Sequence, residues 1–136
     1  MPVSDKPLNI SVLASGQRES FNRAFPILKE IGYKIIYLGE NLGNASTVKV
    51  LTNYLASINL LAIGEVFMIC KKYNLDLKAV YEAIRASSGN SFVHTSEGQL
   101  ILSRSYDAQF TMDLICKDLS LVEKLRNKFK IPSKLI

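Results

Sequence analysis

The sequence predicts a mostly helical fold, with a short α/β segment on its amino-terminal side. The chain has 136 residues, the length of one domain or of one domain and part of another. Two runs rich in branched and aromatic residues, which are typical of strands, occur before residue 40. After Gly39, apolar residues recur at spacings of three and four, which is the period of helices.

The first forty residues predict two strands with a helix between them. Ile10 to Ala14 and Tyr33 to Leu38 have strand composition. Ser20 to Ile31 has helical spacing; Gly32 closes this helix, and Pro26 bends it or marks its first turns. Since two strands and one helix do not make a sheet with both faces covered, we expect this segment to be the end of a larger α/β domain.

One long helix is predicted from Thr47 to about Tyr73. From Ala56 onward almost every face of it is apolar, so we expect it to be central and buried on several sides. Its apolar stripe consists of Val48, Leu51, Leu55, Ile58, Ala62, Val66 and Ile69.

Three further helices follow. Asp76 caps a helix that runs through Ala86, a weaker helix covers His94 to Leu102, and a last helix covers Met112 to Lys130. We therefore expect two domains, residues 1–40 and 41–136. The apolar faces are formed by Leu77, Val80 and Ile84 in the first of these helices and by Ile115, Leu119, Val122 and Phe129 in the last.

Composition indicates a protein of the cytoplasm. Apolar residues make up 48% of the chain and charged residues 21%, which is ordinary for a globular protein. The longest apolar stretch, Leu60 to Cys70, is too short to span a bilayer, and no secretory signal opens the chain. The two cysteines, Cys70 and Cys116, lie in apolar helical runs, which favours reduced thiols. We expect no membrane partner.

The net charge of +5 leaves three interpretations of the basic residues near the carboxyl end. They could bind nucleic acid, form a site for an anionic cofactor or substrate, or be the solvated face of the last helix. We favour the solvated face and expect no nucleic-acid partner. The residues are Lys124, Arg126, Lys128, Lys130 and Lys134.

Lys49 and Asn53 are the pair best suited to chemistry. They are four residues apart, so they project from one side of the long helix, just after a glycine-containing turn. An ammonium beside a carboxamide can polarise a carbonyl oxygen and move its proton. A solvent-facing pair would have the same spacing. His94 is the only histidine, and we expect no metal site because no second ligand accompanies it.

Short motifs in a fixed order run along nearly the whole chain. The motifs are Pro2-Val3-Ser4; Phe21, Pro26, Leu28, Gly32, Gly39, Gly43, Lys49 and Asn53; Glu65; Leu75-Asp76; Ser87-Ser88-Gly89-Asn90-Ser91; Phe110; and Lys117-Asp118-Leu119. Together they resemble the 3-hydroxyisobutyrate dehydrogenase family, also called the β-hydroxyacid dehydrogenases.

This resemblance implies an all-helical C-terminal domain, preceded by a short α/β remnant of a Rossmann-type domain. It implies NAD or NADP as cofactor, with Lys117 near the nicotinamide end and Asp118 fixing the helix that presents it. Lys49 would be the general acid/base and Asn53 would help to hold the substrate. Ser4 would contact the carboxylate of a small carboxylate substrate. The helical domain would form a homodimer.

Two departures from the family pattern affect these expectations. The sequence has no G-x-G-x-x-G phosphate loop, so we expect very poor cofactor affinity and an inactive isolated chain. Asp5 and Lys6 replace two glycines of the loop that receives the substrate carboxylate, which leaves the substrate open. The alternative to a partial oxidoreductase is a catalytically inactive helical oligomerisation module.

Overall fold

A computed structural model describes residues 10–105 and 111–132 of the chain. The described part confirms the predicted fold class, since it is mostly helical with a small sheet. Ser4 and Phe110, which belong to two of the sequence motifs, lie outside the described residues. The elements in order are β1 (Ser11–Ala14), α1 (Arg18–Ile31), β2 (Lys34–Tyr37), α2 (Asn44–Lys72), α3 (Leu77–Arg85), α4 (Phe92–Ser103) and α5 (Met112–Phe129).

Strands β1 and β2 pair in parallel, with Ser11 opposite Lys34 and Ala14 opposite Tyr37. Helix α1 connects them, as the sequence predicts. Gly32 ends α1 where the chain passes close to β1: a Cβ at this position would lie 2.6 Å from Cγ2 of Val12. This close approach requires glycine, because any side chain would displace β1.

Helix α1 begins at Arg18, two residues before the predicted start, so Pro26 lies in its interior. The prediction that Pro26 could mark the first turns is therefore wrong. Two side chains of this helix contact the Tyr37 ring of β2. The Phe21 ring centroid is 4.7 Å from that of Tyr37, and the Arg18 guanidinium lies 3.8 Å from the Tyr37 centroid. These contacts pack the first turns of α1 against β2.

Helix α2 begins at Asn44, three residues before the predicted start. The Asn44 side chain donates to the carbonyl of Leu38 at 2.8 Å, and the backbone N–H of Ala45 donates to Oγ of Ser15 at 3.2 Å. Gly43 precedes the helix with a φ of +94°, a conformation that side chains disfavour. The turn after β2 and the end of β1 thus set where α2 starts.

The prediction that α2 is buried on several sides is wrong for the described chain. Only Ile63 and Phe67 of this helix are buried, whereas Leu61, Met68 and Ile69 are 63%, 64% and 58% exposed. A helix that is apolar on nearly every face carries no signal for which face is covered. Leu51, Leu55, Val66 and Ile69 of the predicted stripe accordingly lie on the exposed side.

Within the described residues, α2 is long and apolar enough to cross a membrane by the criteria of length and composition alone. Core helices of soluble proteins meet the same criteria, so this is weak evidence for a membrane span.

The core of the second part of the chain joins α2, α3 and α4. Its buried side chains are Ile63, Phe67 and Tyr81. The apolar face predicted for α3 packs on this core and is confirmed. On α5, Val122 is buried as predicted, but Phe129 is 61% exposed. The half-buried residues around the core are Leu77, Val80, Ile84, Val93 and Leu102.

Contacts divide the chain into two units, whose described parts are residues 10–51 and 52–132. The first unit contains the parallel strand pair and α1. The second contains α3, α4, α5 and most of α2. The division therefore falls within α2.

Candidate functional site

Lys49 and Asn53 lie on the first half of α2, where the sequence predicts them. They are one helical turn apart, so their side chains leave the helix on the same side. Lys49 is exposed and Asn53 is half-buried. The turn before the helix contains Gly39 and Gly43 at φ values of +88° and +94°, a conformation that side chains disfavour.

Asn53 is hydrogen-bonded to Asp118, which lies on α5. Nδ2 of Asn53 donates to Oδ2 of Asp118 at 2.6 Å. Asp118 is buried, at 7% exposure. The sequence motif that contains Asp118 predicts a role beside Lys117 only, and it misses the contact with Asn53. The two residues are 65 positions apart, so no local pattern pairs them.

Lys117 forms an ion pair with the other oxygen of the same carboxylate. Its Nζ is 3.4 Å from Oδ1 of Asp118. The Lys117 side chain is 61% exposed, whereas that of Asp118 is 10% exposed. The cation of this ion pair is therefore exposed and its carboxylate is buried. The same carboxylate also accepts the hydrogen bond from the Asn53 amide.

The arrangement places an amide, a carboxylate and an ammonium in one contact network within the second unit. A buried carboxylate is costly unless donors compensate it, and the Asn53 amide and Lys117 ammonium do so. The network can hold the amide in one orientation. The network also includes the Lys117 ammonium, which is exposed and can attract an anionic group of a ligand.

The other predicted site residues are placed as follows. Ser4 lies outside the described residues. In residues 10–105 and 111–132, no three His, Cys, Asp or Glu side chains form a group that could hold a metal. His94 is fully buried, and its Nε2 lies 3.0 Å from the Tyr81 carbonyl, so it is a core residue.

Lys117 is the residue that the sequence motif predicts to bind the cofactor. Its ammonium is exposed and lies 3.4 Å from the buried Asp118 carboxylate. The glycine loop that would receive a pyrophosphate is not found anywhere in the sequence.

A family model for the NAD-binding domain of NADP-dependent 3-hydroxyisobutyrate dehydrogenase matches residues 43–136. Among curated relatives, L-threonate dehydrogenase from Haemophilus influenzae is 26% identical over 123 residues, which are 90% of this chain and 41% of that protein. The 3-sulfolactaldehyde reductase of Escherichia coli is 29% identical over 126 residues, 91% of this chain and 42% of that protein. The chain thus spans about two fifths of these relatives.

Solved structures agree with the sequence relatives. The 3-hydroxyisobutyrate dehydrogenase from Salmonella typhimurium matches with a TM-score of 0.82 at 25% identity, over 89% of this chain and 42% of that one. Psf3 in complex with NADP+ and 2-OPP matches with a TM-score of 0.75 at 26% identity, over 91% of this chain and 42% of that one. The family therefore includes proteins that bind NADP+.

Proposed function

Because this chain belongs to the NADP-dependent 3-hydroxyisobutyrate dehydrogenase family, we propose that it supplies the helical part of an NAD(P)-dependent oxidoreductase acting on a small 3-hydroxyacid or semialdehyde. The observation that carries the proposal is the extent of the family match, which begins at Gly43 and runs through α2 to α5. It therefore includes Lys49, Asn53 and Lys117.

Lys49 acts in this proposal as the general acid/base. When an aldehyde is reduced, Nζ of Lys49 gives a proton to the carbonyl oxygen of the aldehyde as that oxygen gains negative charge. When the hydroxyacid is oxidised, the same nitrogen takes the hydroxyl proton. Asn53, one turn along α2, holds the substrate beside this nitrogen.

NAD or NADP, when bound, supplies or accepts the hydride. Lys117 would lie near its nicotinamide end, as the resemblance of Lys117-Asp118-Leu119 to the family motif implies, and the buried Asp118 carboxylate, 3.4 Å away, would steady its ammonium. The phosphate groups need a glycine-rich loop, which these 136 residues do not contain. We therefore expect the chain by itself to bind the cofactor very weakly and to be inactive.

The names of the relatives support a small acid as substrate. L-threonate and 3-sulfolactaldehyde are both short, anionic and oxygenated. A net charge of +5 favours such anions. The substrate class we propose is a short hydroxyacid or the corresponding semialdehyde, in the cytoplasm, without a nucleic-acid or membrane partner.

A second copy of the chain is the proposed protein partner. The exposed apolar residues of α2 in the second unit form a surface that a soluble monomer would not leave in water. A homodimer through this helix would cover them. They are Leu55, Leu61, Val66, Met68 and Ile69.

The same surface favours a second candidate function, a catalytically inactive oligomerisation module. One assay separates the two. Purified chain is mixed with NAD(P)H and small semialdehydes, alone and with an added dinucleotide-binding domain, and loss of reduced nicotinamide is followed. We expect turnover only when that domain is present. No turnover in either mixture, with a folded dimer in both, would favour the inactive module.

A further inference from the structure

Asp118 is a buried carboxylate to which the proposed reaction gives no step of its own. It is 7% exposed and accepts a hydrogen bond from Asn53 Nδ2 at 2.6 Å. Its other oxygen lies 3.4 Å from Lys117 Nζ. A carboxylate in this position determines which atom of the Asn53 amide, the nitrogen or the oxygen, can bind a ligand.

The chemistry of the carboxylate decides the orientation of the Asn53 amide. An ionised carboxylate can only accept hydrogen bonds, so the amide must turn its NH₂ group toward Asp118. A charge-assisted bond of this length is stronger than a neutral one. The amide oxygen of Asn53 therefore points away from Asp118. A carbonyl oxygen accepts two hydrogen bonds, so it can serve a ligand in addition to any protein donor.

Charge excludes one alternative for the ligand. A substrate carboxylate that approached Asn53 Nδ2 would also approach Asp118, and two carboxylates at close range repel each other. Lys117 offsets this only in part, because its side chain is 61% exposed and water screens it. A hydroxyl group meets no such repulsion.

Building on the proposed function, we infer that Asp118 is a positioning residue that fixes the Asn53 carboxamide, so that the amide oxygen accepts a hydrogen bond from a substrate hydroxyl. The substrate carboxylate is then bound elsewhere. The preferred ligands are short acids that carry a hydroxyl group, in preference to the same acids without one.

The orientation is tested first, on the 136-residue chain labelled with ¹⁵N. We expect one Asn53 side-chain amide proton to be shifted downfield and to exchange slowly, and Asp118→Asn to remove both properties. Asp113→Asn is the matched control, since Asp113 lies exposed on the same helix. Identical Asn53 amide signals in Asp118→Asn and the parent chain would overturn the inference, whatever the chain does as an enzyme.

The ligand preference is tested next, on the chain combined with a dinucleotide-binding domain. The probes are 3-hydroxypropanoate and propanoate, which differ by one hydroxyl. We expect the parent to bind the hydroxyacid about tenfold better, and Asp118→Asn to lose most of this preference. Asp113→Asn should retain it. Equal weakening of both acids by Asp118→Asn would show a merely structural role and would refute the inference.

The two failures are distinguishable. If the combined protein does not turn over any semialdehyde, the proposed function fails, and the amide spectrum still decides the orientation of Asn53. If turnover is present but the parent does not distinguish the two acids, the function stands and the inference about the hydroxyl is wrong.

Discussion

At the scale of single residues, the contact between Asn53 and Asp118 shows what a linear pattern can and cannot predict. Lys49 and Asn53 were identifiable because both belong to one helix and are four residues apart. Asp118 was identifiable only as part of a motif with Lys117. Its bond to Asn53 joins α2 to α5, and such a contact depends on tertiary packing that no local spacing encodes.

His94 is a second residue whose role only the structure defines. Its ring is fully buried and stacks on Tyr81 with centroids 4.7 Å apart. Because the Tyr81 carbonyl can only accept, Nε2 of His94 must carry the hydrogen at this 3.0 Å contact. The ring thus joins α4 to α3 as a core group, although the sequence places it in a weak helix.

We expect His94→Ala to lower the free energy of unfolding by about 3 kcal/mol. The change leaves a cavity and also removes the hydrogen-bond donor from the buried Tyr81 carbonyl. Urea denaturation measures it. Tyr81→Phe is the comparison. It removes only the hydroxyl, which donates to the Thr95 carbonyl at 3.1 Å and accepts from Nε2 of Gln99 at 3.2 Å, and we expect it to lower the free energy of unfolding by about 1 kcal/mol. Equal losses in the two variants would contradict the assignment of His94 to the core.

At the scale of elements, the predicted helices and strands agree with the observed ones to within three residues at each end. Strand composition, helical spacing and Asp76 as a cap account for this agreement; Asp76 accepts from the N–H of Lys78 at 3.1 Å. The buried face of α2 could not be predicted, because a helix apolar on nearly every face can be covered from any side.

Alanine at two glycine positions, Gly32 and Gly64, should change the stability of the chain in opposite directions. We expect Gly32→Ala to destabilise the chain by about 2 kcal/mol, because its Cβ would meet Val12 at 2.6 Å and the Ile10 carbonyl oxygen at 3.1 Å. Gly64→Ala should stabilise it by up to about 1 kcal/mol, since no atom lies within 4 Å of the new Cβ and alanine favours helix. Thermal denaturation of both variants measures this, and a stable Gly32→Ala would refute the packing of α1 on β1.

At the scale of the whole molecule, the exposed apolar side of α2 predicts self-association. We expect the chain to sediment as a dimer at micromolar concentration, and Leu61→Glu with Met68→Glu to produce a monomer. Both side chains are more than 60% exposed in the single chain, so the substitutions should not disturb its core. Lys71→Glu with Lys72→Glu, at exposed polar positions of the same helix, is the control. A parent chain that is monomeric at all concentrations would contradict the dimer.

The fold class and the family could be predicted from sequence because the motifs keep their order along nearly the whole chain. We expect the cofactor affinity to depend on a phosphate-binding loop, which these 136 residues do not contain. For this reason the decisive experiment must provide a dinucleotide-binding domain.

The most direct measurement is therefore the turnover number of the chain combined with the dinucleotide-binding domain of the related L-threonate dehydrogenase, with and without Lys49→Ala. We expect NAD(P)H-dependent reduction of a short semialdehyde, and a fall in kcat of about 10² to 10⁴ in the variant, because the proton donor at the carbonyl oxygen is lost. Lys71→Ala, on the exposed end of the same helix, should be unchanged. A Lys49→Ala protein with the kcat of the parent would contradict the assignment of Lys49 as general acid/base.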